Sequence, residues 1–322
     1  MEGLWGALPI LLILLFIIAR NISNRQRHTE LVNKFSKIQK KRKSRVIAIV
    51  HRQEPMGLLG IPMLRYIDLN DAEDVLDAIR RTPSNKPLEL ILHTPGGLVL
   101  PAVQIARAIK AHPGKTTVFV PHYAMSGGTL IALAADEVVL SQHAVLGPID
   151  PQIGGLPAAS VVRVAQEKPI QNTEDYTLVL ADVGAMAITQ LQKIARELLT
   201  GTVSENAAIG IAEQLSSGRW THDYPINYGE ARELGLNVSN DMPKDIMEMM
   251  ALFPDSLRRT KSVKYLEEEP SAVASEQRVT LTGYQPQPGA RSYSYGPWNP
   301  KELKPRSSEK PDRKPFWRRG ED

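Results

Sequence analysis

Leu88-Glu89-Leu90-Ile91-Leu92-His93-Thr94-Pro95-Gly96-Gly97 opens the stretch of residues 88–155, and Ala124-Met125-Ser126-Gly127-Gly128 stands at its middle. In both passages an apolar run ends in a glycine turn, and a helical repeat follows, over residues 100–111 after the first and 127–135 after the second. Strands alternating with helices at this spacing predict a layered α/β fold with a largely parallel sheet. Each turn ends where a helix begins, so the backbone N–H groups of Gly96, Gly97 and Gly127 are expected to be free for a negative oxygen. Ser126 stands beside them, and a nucleophilic hydroxyl next to such donors is the minimum set for acyl transfer. The pattern A-x-S-x-G between a strand and an apolar helix is a relaxed nucleophile elbow, although a serine there could equally cap the helix. Two glycine turns on consecutive strands are more specific than either alone.

Outward from that stretch, Val46-Ile47-Ala48-Ile49-Val50 reads as the first strand of the domain, and Asn70 with Glu73 as the capping box of a helix carrying Val75, Leu76 and Ile79. Residues 116–120 and 136–141 are further strands, and Leu146-Gly147-Pro148-Ile149-Asp150-Pro151 is a turn-rich loop. Residues 173–199, 204–215 and 228–234 carry helical periodicity. Past about Pro254 the chain turns polar and Pro-rich, so 251–322 is expected to be a disordered tail.

Inward toward the N-terminus, residues 3–19 are seventeen positions without a charge, about 25 Å as a helix, enough for one membrane crossing. Met1-Glu2 is not a positive n-region, and Arg20-Asn21-Ile22-Ser23-Asn24 has no small-residue cleavage site, so an uncleaved anchor at 1–19 is expected rather than a signal peptide. Residues 20–45 hold ten Lys/Arg against Glu30, and positive charge after the apolar run predicts a cytoplasmic catalytic domain. This basic stretch reads as a juxtamembrane linker near anionic headgroups or in solvent, with the domain proper over 46–250. Next to an apolar segment it points to membrane lipid, with no nucleic acid expected. The absence of cysteine excludes disulfides, a thiolate nucleophile and Cys-based metal sites. Gly114-Lys115-Thr116 lacks the earlier glycine of a P-loop, and no G-x-G-x-x-G follows a strand, so no cofactor is expected.

A serine needs a base. Among seven histidines none has a spacing that marks a triad partner; His143 is the nearest downstream. A lysine would serve if burial lowered its pKa, and Lys168 and Lys193 both follow Ser126.

Taken together, Thr94-Pro95-Gly96-Gly97, Ala124-Met125-Ser126-Gly127-Gly128, Ala132-Leu133-Ala134-Ala135-Asp136-Glu137 and Leu146-Gly147-Pro148-Ile149 resemble the Clp/crotonase superfamily of serine peptidases over residues 45–245. Within it the chain is most similar to the serine dehydrogenase proteinase family, related to signal peptide peptidase A. The resemblance implies a ClpP/crotonase-like spiral of ββα units behind one N-terminal transmembrane helix, a homo-oligomer, and a peptide or protein substrate. It also implies Ser126 as nucleophile and oxyanion donors from Gly96, Gly97 and Gly127. Clp protease carries a histidine where this chain reads Gly147-Pro148-Ile149-Asp150-Pro151, whereas the membrane-anchored relatives use a Ser-Lys dyad, for which Lys168 is the matching position. Two alternatives keep the fold: a crotonase-type acyl-CoA enzyme, and an inactive membrane scaffold.

Overall fold

A computed structural model describes residues 2–51, 54–56, 61–63, 65–253 and 263–265. In chain order the elements are α1 (Glu2–Arg42), β1 (Arg45–Val50), β2 (Glu54–Met56), β3 (Ile61–Met63), α2 (Leu69–Arg80), β4 (Leu88–His93), α3 (Val99–Lys110), β5 (Thr116–Val120), β6 (Tyr123–Ala124), α4 (Gly127–Leu133), β7 (Glu137–Leu140) and β8 (Val145–Leu146). There follow β9 (Gln152–Ile153), β10 (Leu156–Pro157), α5 (Ala158–Glu167), α6 (Asp175–Leu199), α7 (Glu205–Ser216), α8 (Tyr228–Glu233), β11 (Val238–Ser239), α9 (Lys244–Met250) and β12 (Val263–Tyr265). The chain divides into two units, Met1–Glu269 and Pro270–Asp322, of which the second lies outside the described residues.

The main sheet has the order β11-β7-β5-β4-β1-β12, parallel except for the antiparallel edge strand β12. Strands β1, β4 and β5 are buried along their whole length, as a parallel sheet covered on both faces requires. The pleat separates the two cores. Ile47, Ile49, Leu88, Leu90, Leu92 and Val118 face α2, α3 and α4. Val46, Ala48, Val50, Ile91, Phe119 and Val139 face the opposite side.

On that opposite side, the later part of the expected linker 20–45 packs against the domain: α1 runs unbroken to Arg42 and buries Leu31, Phe35 and Ile38 against the sheet and α9, while the described side chains between Ile22 and Glu30 are exposed. The spacing of these three residues puts them on one helical face. Phe35 meets Phe253 edge-on at 6.5 Å between ring centroids, and Lys34–Glu248 and Lys41–Asp245 pair across the helices. Arg42 donates from Nε to both Glu89 oxygens (2.8 and 2.7 Å), and Ser44 Oγ donates to the same carboxylate. Glu89 raises the pKa of the Arg42 guanidinium above its ordinary value by accepting that hydrogen bond. The expected tail 251–322 contributes β12, whose Tyr265 pairs with Ile47. Its residues 254–262 and 266–322 lie outside the described residues.

The expected capping box at Asn70 falls two residues earlier. Asp68 caps α2 and Asp71 returns the bond to the Asp68 N–H, because Ile67 is held in a bridge to Gly97 and the helix starts directly after it. The backbone of the expected anchor, 3–19, lies within α1, and most of its side chains lie outside the described residues; Leu15, Phe16 and Ile18 are exposed. Among the described residues, the helix long and apolar enough to cross a membrane is not N-terminal but α6. Its second half gives Leu191, Ala195, Leu198 and Leu199 to the core, while Tyr176, Val179, Val183 and Met186 are exposed on the first.

If α1 is part of the core, Phe35→Ala lowers the unfolding free energy of the detergent-solubilised protein by about 3–5 kcal/mol, and Lys37→Ala changes it by less than about 0.5 kcal/mol. Denaturant titration of the two variants checks this. Equal small effects would return the segment to the membrane surface.

Candidate active site

Beyond the main sheet the chain builds a second, narrower row of backbone pairs. Thr94 pairs in parallel with Ala124, Ala124 in parallel with Leu146, and Leu146 antiparallel with Ile226. The first pair is tied by Thr94 N–H to the Tyr123 carbonyl (3.1 Å) and Met125 N–H to the Thr94 carbonyl (3.0 Å). Leu146 and Ile226 exchange two bonds of 2.9 Å. Both glycine turns leave this row at the same end.

Gly96 and Ser126 are therefore in contact. A Cβ on Gly96 would lie 2.8 Å from the Met125 carbonyl oxygen and 2.9 Å from Ser126 Cβ, and Gly96 has φ +105°, so only glycine fits there. Ser126 has φ +49° and ψ −116°, a left-handed backbone that costs a residue with a side chain about 1–3 kcal/mol. Surrounding bonds impose it: Gly128 N–H on the Met125 carbonyl (2.7 Å) and Leu130 N–H on the Ser126 carbonyl (3.1 Å). Its hydroxyl makes no capping bond to α4, which removes the capping explanation for this serine, and the residue is half-buried. The geometry is that of a nucleophile elbow.

The three expected oxyanion donors differ. Gly96 N–H is occupied by Thr94 Oγ1 (3.2 Å), so it leaves the set. Among the described residues the N–H groups of Gly97 and Gly127 have no acceptor, and a Cβ on Gly127 would lie 3.6 Å from Gly97 N. Thr94, fully buried, also bonds His51 Nδ1 (2.7 Å), whose Nε2 faces Asp71 Oδ2 (3.1 Å). This chain fixes the first turn from behind.

Thr129 fixes the neighbouring loop. Its Oγ1 bonds the carbonyls of Ala124 and Gly147 (both 2.8 Å) and accepts from Gly147 N–H (3.0 Å). Three residues further, Asp150 is only 2% exposed and both its oxygens are bonded, Oδ1 to His222 Nδ1 (2.8 Å) and Oδ2 to Gln152 Nε2 (2.6 Å). Because a carboxylate only accepts, Nδ1 carries the proton and Nε2 is the remaining face of the imidazole. The bond to Asp150 raises the His222 pKa above its ordinary value against the opposing effect of burial.

Lys168 is exposed where α5 ends, and its ammonium makes no hydrogen bond or ion pair among the described residues. It lacks the burial that a neutral lysine base needs. Lys193 and His143 are also exposed. The sequence reading missed His222 and Asp150. They are 72 positions apart, and no local spacing reveals the Leu146–Ile226 pairing that brings them together.

A family model described as ClpP-like SDH-type serine proteinase matches residues 1–280. Two uncharacterized proteins of Methanocaldococcus jannaschii are 46% and 44% identical over 256 residues, covering 80% of this chain and 90% and 87% of their own lengths. Among solved structures, ClpP1 from Listeria monocytogenes is 18% identical with a TM-score of 0.40, covering 64% of this chain and 96% of its own.

The raised His222 pKa fixes the sign of a pH effect. Protonated His222 beside Asp150 stabilises the fold fully below about pH 6.5, the unfolded value, and that contribution is lost as pH rises through the elevated folded value. The thermal midpoint should therefore fall as pH rises above about 6.5 in the wild type. In His222→Asn that part of the slope should disappear; an unchanged slope would refute the assignment.

Proposed function

The chain belongs to the family of ClpP-like SDH-type serine proteinases, and from that membership we propose that it is a membrane-anchored serine endopeptidase with Ser126 as nucleophile. The observation that carries the reading is the strained backbone of Ser126, held beside the N–H groups of Gly97 and Gly127, which have no acceptor among the described residues. Ser126 Oγ attacks the carbonyl carbon of a peptide bond while its proton passes to a base, and the C=O π pair moves onto oxygen. Gly97 and Gly127 N–H stabilise that oxyanion, each such donor being worth about 3 kcal/mol. Collapse breaks the C–N bond, the leaving amine takes the proton, and water then releases the acyl group from Ser126.

Lys168 is the base offered by the resemblance. As an exposed side chain it becomes competent only where a substrate or a second copy of the chain covers it. The short paired segments at the ends of β4, β5 and β7 support reading the fold as a spiral of ββα units. The exposed apolar first half of α6 supports a homo-oligomer, and a peptide or protein is the substrate class. Residues 1–19 are the proposed anchor, with the exposed Leu15, Phe16 and Ile18 on α1 in its support, and the basic residues after it support a cytoplasmic domain.

The test is labelling of the detergent-solubilised protein by a fluorophosphonate probe, together with hydrolysis of an unfolded protein substrate. Ser126→Ala should abolish labelling and cut hydrolysis by at least about a thousandfold. Gly97→Ala, which forces a Cβ to within 2.3 Å of the Ile67 carbonyl oxygen, should cut hydrolysis about a hundredfold or more. Labelling that maps to another residue would overturn the reading.

A further inference from the structure

We infer that His51, held between Asp71 and Thr94, is a positioning residue for the oxyanion donor Gly97: it keeps the Thr94 hydroxyl turned away from the Gly96 carbonyl and so fixes the plane of the peptide that carries the donor. The inference rests on the serine peptidase reading and says what aims one of its two proposed donors.

The Gly96 carbonyl and the Gly97 N–H belong to one planar peptide and point in opposite directions. Whatever holds the carbonyl therefore aims the N–H. Ile67 N–H donates to that carbonyl at 2.8 Å, and the Ile67 carbonyl accepts from Leu98 N–H at 3.0 Å. Gly96 N–H donates to Thr94 Oγ1 at 3.2 Å. The N–H groups on either side are thus bonded, and Gly97 N–H, between them, has no acceptor among the described residues. A peptide joining two glycines has no Cβ of its own to resist rotation, so its plane depends on these bonds.

Thr94 Oγ1 also stands 3.3 Å from the Gly96 carbonyl oxygen, within reach of donating to it. A hydroxyl has one proton, so its direction decides which bond it makes. Turned onto the Gly96 carbonyl, it would compete with Ile67 N–H and draw the peptide out of its plane. His51 removes that choice. The Asp71 carboxylate only accepts, and its Oδ2 already takes the Asp68 N–H (3.1 Å), so His51 Nε2, 3.1 Å from the same oxygen, carries the ring proton. Nδ1 of the neutral ring is then an acceptor, and the Thr94 hydroxyl, 2.7 Å away, donates to it. The Thr94 oxygen keeps a lone pair for Gly96 N–H, while the Gly96 carbonyl is left to Ile67. Thr94, His51 and Asp71 are all buried, so each of these bonds is costly to lose. His51 acts through Thr94 and the peptide plane, which makes it a positioning residue.

The experiment follows the rate of Ser126 labelling in the full-length, detergent-solubilised protein as the concentration of a fluorophosphonate probe is raised. Oxyanion stabilisation enters the maximal rate, and probe binding enters the half-saturating concentration. His51→Leu, which removes both ring nitrogens, and Thr94→Val, which removes the hydroxyl at nearly unchanged shape, should each lower the maximal rate about 10–100-fold and leave the half-saturating concentration within about twofold. The double variant should be no slower than the slower single one, because both changes act through the same hydroxyl; two unrelated losses of packing would multiply. His51→Asn, which keeps an acceptor near the Nδ1 position but does not reach Asp71, should fall between the wild type and His51→Leu, and it carries the test if the leucine variant does not fold. Wild-type maximal rates in the His51 variants, a loss confined to the half-saturating concentration, or multiplying effects in the double variant would overturn the inference, and continued labelling at Ser126 would leave the serine reading standing. Absence of labelling in the wild type would overturn both.

Discussion

The pairing of Thr94 with Ala124 is the constraint on which the rest of the site depends. Two backbone bonds of 3.0 and 3.1 Å set the ends of β4 and β5 side by side after those strands have left the main sheet. Every later feature inherits its position from them. Gly96 can touch Ser126 because the turns leave adjacent segments, and Leu146 and Ile226 extend the same row. Thr94 serves this arrangement twice, through its backbone and through a hydroxyl tied to His51 and Asp71. Deep burial makes those polar bonds costly to break, so the turn is held where its Gly97 N–H has no acceptor among the described residues.

What could be read from the chain follows the range of the interactions involved. The strands at 88–92 and 116–120, the buried helix after Ser126 and the two glycine turns were legible because each is written in a few neighbouring residues. The loss of Gly96 as a donor was written locally too: a threonine two residues upstream is well placed to bond that N–H. The role of Leu31, Phe35 and Ile38 was half visible. Their spacing marks a helical face, but the surface that covers it comes from α9, more than two hundred positions away. The His222–Asp150 pair was not legible, since it depends on an antiparallel contact between two loops. Sequence also carries no measure of burial, which is why a lysine at a suggestive position reads the same whether it is sheltered or, like Lys168, open to solvent.

Charge is placed with similar economy at the junction of α1 and the sheet. Arg42, Ser44 and Glu89 form a connected group where the helix meets β1 and β4, and Arg42 also lies over the Phe119 ring at 5.1 Å. A carboxylate on a central strand needs such company, because alone it would oppose burial of the strand. Part of the basic run thus serves the fold itself, and only the remainder is available to a membrane surface.

Ser126 bears a different relation to its surroundings. It is held in a backbone conformation that glycine adopts without strain, and its hydroxyl contributes no capping bond to the helix it precedes. On the proposed role of Ser126 as nucleophile, a glycine there would relieve the fold and end the chemistry in one step. For this chain the route from enzyme to inert homologue runs downhill in folding energy, and a cell that screens proteins by their stability would not notice the loss.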